Sequence, residues 1–383
     1  MLSSMSNRDN SGPLLPALPV FDCGVSLTAN REISSILDQK FVSRVSSGSA
    51  AILLALKEKN ISSGDHILLP GYHCPTMVEP VLTLGATPIF YDINKDLSIN
   101  IQDISLKLNK EVKAILVPHL FGVKQNIDKL KRLDEMHSAI CIIEDCAHYF
   151  FQANEESKLQ GDYCIGSLTK YFPVYDGGVL ASKHKIKNDA SPLSILQEIK
   201  SIYNVLHVSV QYGRLRWLAW LFGLMSVLRN QSASEDERDA SEDSSLTLHA
   251  SNMRDVAIYH SSKSCDYIIN HANFAGIVEK RKNNYAYLLN ALSGQPNIDL
   301  SLNCNESDFI PYMVIGVLAN PELHHPLLIE KKLPIWRWEH LYPSQCSVAK
   351  EYSKSIIQIP CHQQLSSEEL SALADGIIDC LQV

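Results

Sequence analysis

Four short apolar runs set the frame for this chain: HILLP (66–70), PIFYDI (88–93), AILVPHL (114–120) and ICIIED (140–145), spaced about 25 residues apart. Their apolar residues stand next to one another rather than alternating with polar ones, the pattern of a strand buried on both faces. Between them lie SAAILLALKEKN (49–60), PTMVEPVLTLG (75–85) and NIDKLKRLDEMHS (126–138), and in the last Ile127, Leu130 and Leu133 recur at helical spacing. Apolar strands separated by helices predict an α/β chain whose mainly parallel sheet is sandwiched by helices. Such sheets bind ligands beyond the carboxyl ends of their strands. That rule singles out 70–74, Asp92, 119–122 and 145–148.

The length, 383 residues, suits a large domain with a smaller companion. We expect an N-terminal arm at 1–30, a large domain at 31–250 and a small C-terminal α+β domain at 251–383. In the last, 277–294 and 366–382 read as helices, the second opening on a serine–glutamate capping box, and 308–319 and 355–360 as strands. The apolar stretch 213–229 has too few uncharged residues to cross a bilayer. It reads as a buried helix or subunit contact, with peripheral contact to a membrane or glycan machinery as the second reading. The acidic stretch 230–246 reads as a loop. A net charge of −8 argues against nucleic acid as a partner. The ten cysteines form no C-x-x-C pair, no metal-ligand spacing is present, and the polar N-terminus lacks the apolar centre of a secretory signal. A cytoplasmic chain with reduced thiols is expected.

Three local patterns carry chemistry. IIEDCAH ends a buried strand with Asp145, and His148 follows three residues on; an aspartate there can hold a protonated heteroaromatic nitrogen. SSGSAA (46–51) opens a helix, whose free N–H groups, with Gly48 and the Ser49 hydroxyl, suit a phosphate. SLTKYFPVYDGG (167–178) places Lys170 among apolar neighbours before a D-G-G turn, and an amine becomes nucleophilic when burial keeps it neutral.

These motifs are collinear with others: GDHILLP (64–70), GATPIFYDI (85–93), PHLFG (118–122) and EDCAH (144–148), with Lys170 seven and eight residues before Gly177 and Gly178. Together they resemble the DegT/DnrJ/EryC1/StrS family of sugar aminotransferases, which use pyridoxal 5′-phosphate (PLP) on the aspartate aminotransferase fold, fold type I. The resemblance runs from about residue 40 to 180 and resumes more weakly at 248–300 and 355–383. It implies that Lys170 joins covalently to PLP and shuttles the proton. It implies that Asp145 pairs with the pyridine nitrogen, that His148 lies near the ring and its 3′ oxygen, and that Gly48, Ser49 and Ser167 hold the phosphate. SNMRDVA (251–257) resembles NYRMSEL, so that Asn252 reaches the phosphate of a neighbouring subunit in a homodimer.

Departures from the family pattern mark the substrate side. Cys74 stands where the family stacks an aromatic on the cofactor, with Tyr72 and His73 as the other residues able to cover the ring. YFPVYDGG replaces a more polar segment, which predicts a bulkier entrance near the lysine, with Tyr175 at the substrate. PIWRWEH (334–340) offers Trp336, Arg337, Trp338 and Glu339 as substrate contacts. The resemblance implies a transaminase moving an amino group from an amino acid, glutamate first among donors, to a keto sugar, nucleotide-linked, in polysaccharide or secondary-metabolite sugar synthesis. The alternatives are a PLP-fold relative acting as a dehydratase, and a binding or scaffold protein. A serine acyl-transferase built on Ser167-x-x-Lys170 lacks its companion motifs.

Overall fold

The computed structural model describes residues 14–24, 28–137, 140–152, 159–187, 189–220, 222 and 256–383. Seven strands form the main sheet: β1 (Phe41–Val45), β2 (His66–Pro70), β3 (Thr87–Tyr91), β4 (Val112–Pro118), β5 (Cys141–Asp145), β6 (Tyr163–Ser167) and β7 (Gly178–Ser182). Their order is β1-β7-β6-β5-β4-β2-β3. Strands β6, β5, β4, β2 and β3 pair in parallel, and β7 alone runs against its neighbours. The expected strands at 66–70, 88–93, 114–120 and 140–145 are β2 to β5, within two residues at each end.

Side-chain alternation explains why those runs are continuously apolar. Ile67, Leu69, Ala114, Leu116 and Ile143 enter one core, while Leu68, Ile115, Val117 and Ile142 enter the core on the opposite face. Helix α1 (Gly48–Glu58) covers the first face and is buried at every position from Ala50 to Leu56. Further cover comes from α2 (Glu79–Thr83), α3 (Ile101–Lys107) and α4 (Ile127–His137).

After β7 the chain forms α5 (Ile195–Gln211), then, in the C-terminal half, α6 (Lys263–His271) and α7 (Phe274–Leu292). A second, antiparallel sheet of β8 (Ile298–Asp299), β9 (Met313–Leu318) and β10 (Ile356–Pro360) follows, with α8 (Pro321–Glu330), α9 (Ser347–Ser355) and α10 (Ser367–Leu381). The capping box of α10 forms as expected: Ser366 N–H donates to Glu369 Oε2 at 2.8 Å and Glu369 N–H to Ser366 Oγ at 3.2 Å. Tyr312, Met313, Ile315 and Tyr352 of this half share a core with Leu68, Phe150 and Leu168 of the main sheet. The expected boundary at 250/251, the stretch 223–229 and the acidic stretch 230–246 lie outside the described residues. Among the described residues no helix is long and apolar enough to cross a membrane.

Candidate active site

The carboxyl ends of the parallel strands converge on one edge of the sheet, and the residues read from sequence meet there. Asp145 closes β5, 4% exposed, with Oδ1 accepting the Ala147 N–H at 2.8 Å. Lys170 closes a single 3-10 turn (Leu168–Lys170) directly after β6. Lys170 is half-buried as a residue, while its amine is buried. Burial lowers the amine's pKa and Asp145 opposes that shift. Burial raises the Asp145 pKa, against the pull of Lys170, the Ala147 N–H and His119. Each group is thus pressed toward neutrality by the same dry surroundings and held charged by the other.

His148 sits in a stack of rings. Phe121 lies at 5.4 Å and 16° on it, and Tyr312 at 4.1 Å and 10°. Its Nδ1 accepts the Phe121 N–H at 3.1 Å, so the ring carries its proton on Nε2. Burial, with Lys170 adding to it, holds its pKa well below the usual 6.5, so the ring is neutral and Nε2 is a donor. The contact requires Phe121 at φ +56°, in the left-handed region, followed by Gly122 at φ +97°. The Lys170 amine lies 5.4 Å from the Tyr312 ring centroid.

Behind Asp145, the buried Glu144 points to the other face of the strand. Its Oε2 accepts from His119 Nε2 at 2.8 Å, and its Oε1 accepts the N–H groups of Gln160, at 2.5 Å, and Gly161. The His119 N–H donates to the Asp145 carbonyl at 3.0 Å, tying the ends of β4 and β5 together.

The 46–49 turn forms the third side. Ser47 caps α1, its hydroxyl accepting the Ala50 N–H at 3.1 Å. A Cβ on Gly48 would meet Ser167 Cβ at 3.6 Å, and one on Gly178 would sit 2.0 Å from the Ser47 carbonyl oxygen. The helix start, Ser167 and the strand after the D-G-G turn are therefore pressed together, with room only for glycine at 178. The Ser49 hydroxyl donates to the Thr76 carbonyl at 3.0 Å, and Ser167 Oγ lies 3.2 Å from Thr169 Oγ1.

The substrate-side residues divide. Tyr72 is fully buried at 5.0 Å from the Trp338 ring, and Trp338 also lies 5.9 Å from Phe121 and 5.7 Å from His148. Cys74 is half-buried, accepts from Thr76 Oγ1 at 3.1 Å and acts electrostatically on Lys170. His73 is committed elsewhere: Nδ1 donates toward the Pro70 carbonyl at 2.9 Å, Nε2 accepts the Tyr342 N–H at 3.1 Å, and the ring stacks on Phe90. Of 334–340, Trp338 enters the site. The backbone of Trp336 bridges to Gln358, and Arg337 binds Glu339 at 2.9 Å and the Lys354 carbonyl at 2.9 Å. Tyr175 is 49% exposed. The bulky entrance expected after Lys170 needs correction: Tyr171 and Phe172 are fully buried and pack against Phe150, Phe151 and Phe274. The turn after Lys170 drives them into the core. Asn252 lies outside the described residues.

Tyr312 and Arg281 are the site's neighbours that sequence reasoning passed over, whereas Trp338 stood among the four candidates of its motif. Arg281 alone leaves a local sign, a cation inside the apolar stripe Phe274, Val278, Tyr285, Leu288 and Leu292 of α7.

Residues 28–180 match the DegT/DnrJ/EryC1/StrS aminotransferase family. The GDP-perosamine synthase of Vibrio cholerae is 27% identical over 217 residues, 55% of this chain and 59% of that protein. That of Escherichia coli O157:H7 is 33% identical over 160 residues, 39% of this chain and 42% of that protein. An L-glutamine:2-deoxy-scyllo-inosose aminotransferase of Streptomyces kanamyceticus is 34% identical over 103 residues, 27% of this chain and 24% of that protein. The chain thus spans between about a quarter and three-fifths of these relatives' lengths. Among solved structures, DesV of S. venezuelae superposes with a TM-score of 0.62 at 16% identity, covering 91% of this chain and 86% of that one. A Streptococcus pneumoniae protein solved in a PMP form gives 0.63 at 14% identity, covering 90% and 88%. The fold is that of the type I PLP-dependent transferases, as expected.

Proposed function

We propose, for a chain whose residues 28–180 match the DegT/DnrJ/EryC1/StrS aminotransferase family, a PLP-dependent amino transfer from an amino acid, glutamate first among donors, to the keto group of a nucleotide-linked sugar. The observation that carries it is the meeting of the buried Lys170 amine, the buried Asp145 carboxylate and the neutral His148 Nε2–H at one end of the sheet, beside the glycine-lined start of α1.

The residues fit the cofactor. A carboxylate in so dry a place is costly, with one hydrogen bond from the Ala147 N–H, and Asp145 has a use for a cationic ring nitrogen as its partner. The N-terminus of α1, with Gly48, Ser49 and the nearby Ser167 hydroxyl, suits the phosphate. His148 Nε2 donates in the way a glutamine would, and serves the ring's oxygen. When bound, PLP supplies a carbonyl that captures an amine and a ring that accepts electrons. The chain does the rest. Burial disfavours the charged form of Lys170, so with PLP bound Nζ would be the nucleophile and would carry the substrate proton. Asp145 would hold the ring nitrogen and favour its protonated form. The aromatic wall of Tyr72, Phe121 and Trp338 excludes water from that proton's path. Trp338 and Tyr72, in contact at 5.0 Å, would take the covering role that the family gives to one aromatic.

A homodimer with shared sites, completed by Asn252 of the neighbouring subunit, and a cytoplasmic location belong to the same reading. In a test, glutamate discharges the visible absorbance of the PLP-loaded protein and a nucleotide-linked keto sugar restores it. Loaded protein whose absorbance glutamate leaves untouched overturns the transaminase reading and favours the dehydratase or binding alternative.

A further inference from the structure

Arg281 is a fully buried cation whose hydrogen-bond partners among the described residues include no carboxylate. It occupies the apolar stripe of α7, where leucine or methionine would pack without desolvating a charge. Its bonds go to two segments of backbone and one amide. Nη2 donates to the Lys170 carbonyl at 2.7 Å, and Nη1 to the carbonyls of Pro311 and Tyr312 at 3.3 and 3.1 Å. Nε donates to Gln363 Oε1 at 3.0 Å, and Gln363 Nε2 in turn donates to the Tyr171 carbonyl at 2.7 Å. The guanidinium also lies over the Tyr171 ring, 4.5 Å from its centroid.

Both segments lead into the site. One carries the Lys170 amine; the other carries the Tyr312 ring, which lies beneath that amine and against His148. Lys170 and Tyr312 are 142 positions apart in sequence, one following strand β6 of the main sheet and the other entering the second sheet. The two segments touch through Tyr171 and Tyr312, whose rings lie 6.0 Å apart, and Arg281 and Gln363 hydrogen-bond to the backbone of both. A planar fork with fixed donors suits that task better than an ammonium, which would reach only some of the carbonyls.

We propose that Arg281, with Gln363, is a positioning residue: it sets the Lys170 backbone against Tyr312 and so fixes the pose of the amine toward Asp145 and His148. It touches neither substrate nor cofactor. What the amine then does rests on the PLP reading above.

The test uses the full-length chain and three variants: Arg281→Met, Arg281→Lys and Gln363→Leu. One readout needs no cofactor: trace acetylation of Lys170 against pH, followed by peptide mass. The second is PLP affinity by titration of the visible absorbance. We expect Arg281→Met to fold, to shift the Lys170 labelling profile, and to bind PLP about 10- to 100-fold more weakly, the worth of a charged hydrogen bond at a buried site. Arg281→Lys recovers part of this, and Gln363→Leu shows a smaller change in the same direction. Folded Arg281→Met with the wild-type labelling profile and wild-type PLP affinity reduces Arg281 to packing and overturns the proposal. If Arg281→Met fails to fold, an unchanged labelling profile in folded Gln363→Leu overturns it equally. A wild-type chain that binds no PLP refutes the cofactor reading, while its labelling profile still decides the positioning claim.

Discussion

Replacing Glu144 by glutamine probes the support beneath the site without touching Asp145 itself. His119 Nδ1 accepts the Gln125 N–H at 3.0 Å, so its ring proton is on Nε2, directed at Glu144 Oε2 at 2.8 Å. Glutamine keeps an oxygen for the Gln160 and Gly161 N–H groups but turns an NH2 toward a ring N–H. One buried donor is then unpaired, which costs about 1–3 kcal/mol. The two backbone bonds also lose their charged acceptor, adding roughly 1 kcal/mol, for a total of about 2–4 kcal/mol. The pH dependence has a definite sign. Burial alone would raise the Glu144 pKa, but His119 and the two backbone N–H groups outweigh it, so the folded value lies below 4.5. The unfolded chain binds the proton more readily, so this stabilisation is complete above about pH 5 and fades as pH falls through the folded value. Urea unfolding of both proteins at pH 7 and near pH 4 reads this out as a midpoint difference at unchanged slope. The expected result is a lower Glu144→Gln midpoint at pH 7 and a narrowing gap in acid. A variant within about 0.5 kcal/mol of wild type at pH 7, or a gap constant down to pH 4, refutes the reasoning.

Other outcomes follow from the same geometry. Gly178→Ala forces a Cβ against the Ser47 carbonyl, 2.0 Å away, so the 46–49 turn must shift; PLP affinity and thermal stability should both fall, the latter by several degrees. Because burial keeps His148 neutral, the pH profile of amino transfer should show no His148 ionisation between about pH 6 and 8. His148→Gln should retain most activity by keeping the donor, and His148→Ala should lose about 10- to 100-fold in kcat/KM.

The strands and the three candidate residues were legible because each is written locally. A strand buried on both faces shows as an unbroken apolar run, Asp145 and His148 stand where one such run ends, and Lys170 stands before a D-G-G turn. The reversed direction of β7 was not legible, since GVLAS reads the same in either sense. Tyr171 and Phe172 misled for a related reason: their bulk was visible, but the turn that sends them into the core rather than the entrance is made with Arg281 and Gln363, more than 100 positions away. Tyr312 belongs to the site only through the packing of the second sheet on the first, and its segment carries no motif that points toward Lys170. Trp338 was legible only as one of four candidates in PIWRWEH, because the packing that selects it is not written locally.

The central claim is that Lys170 is the covalent anchor of PLP, and it is tested most directly by adding PLP to the full-length chain, recording the visible absorbance, reducing with borohydride and mapping the mass increment. Wild type should turn yellow and carry the increment on Lys170, and Lys170→Ala should do neither. A wild-type chain that stays colourless with added PLP, or that carries the increment on another lysine, contradicts it.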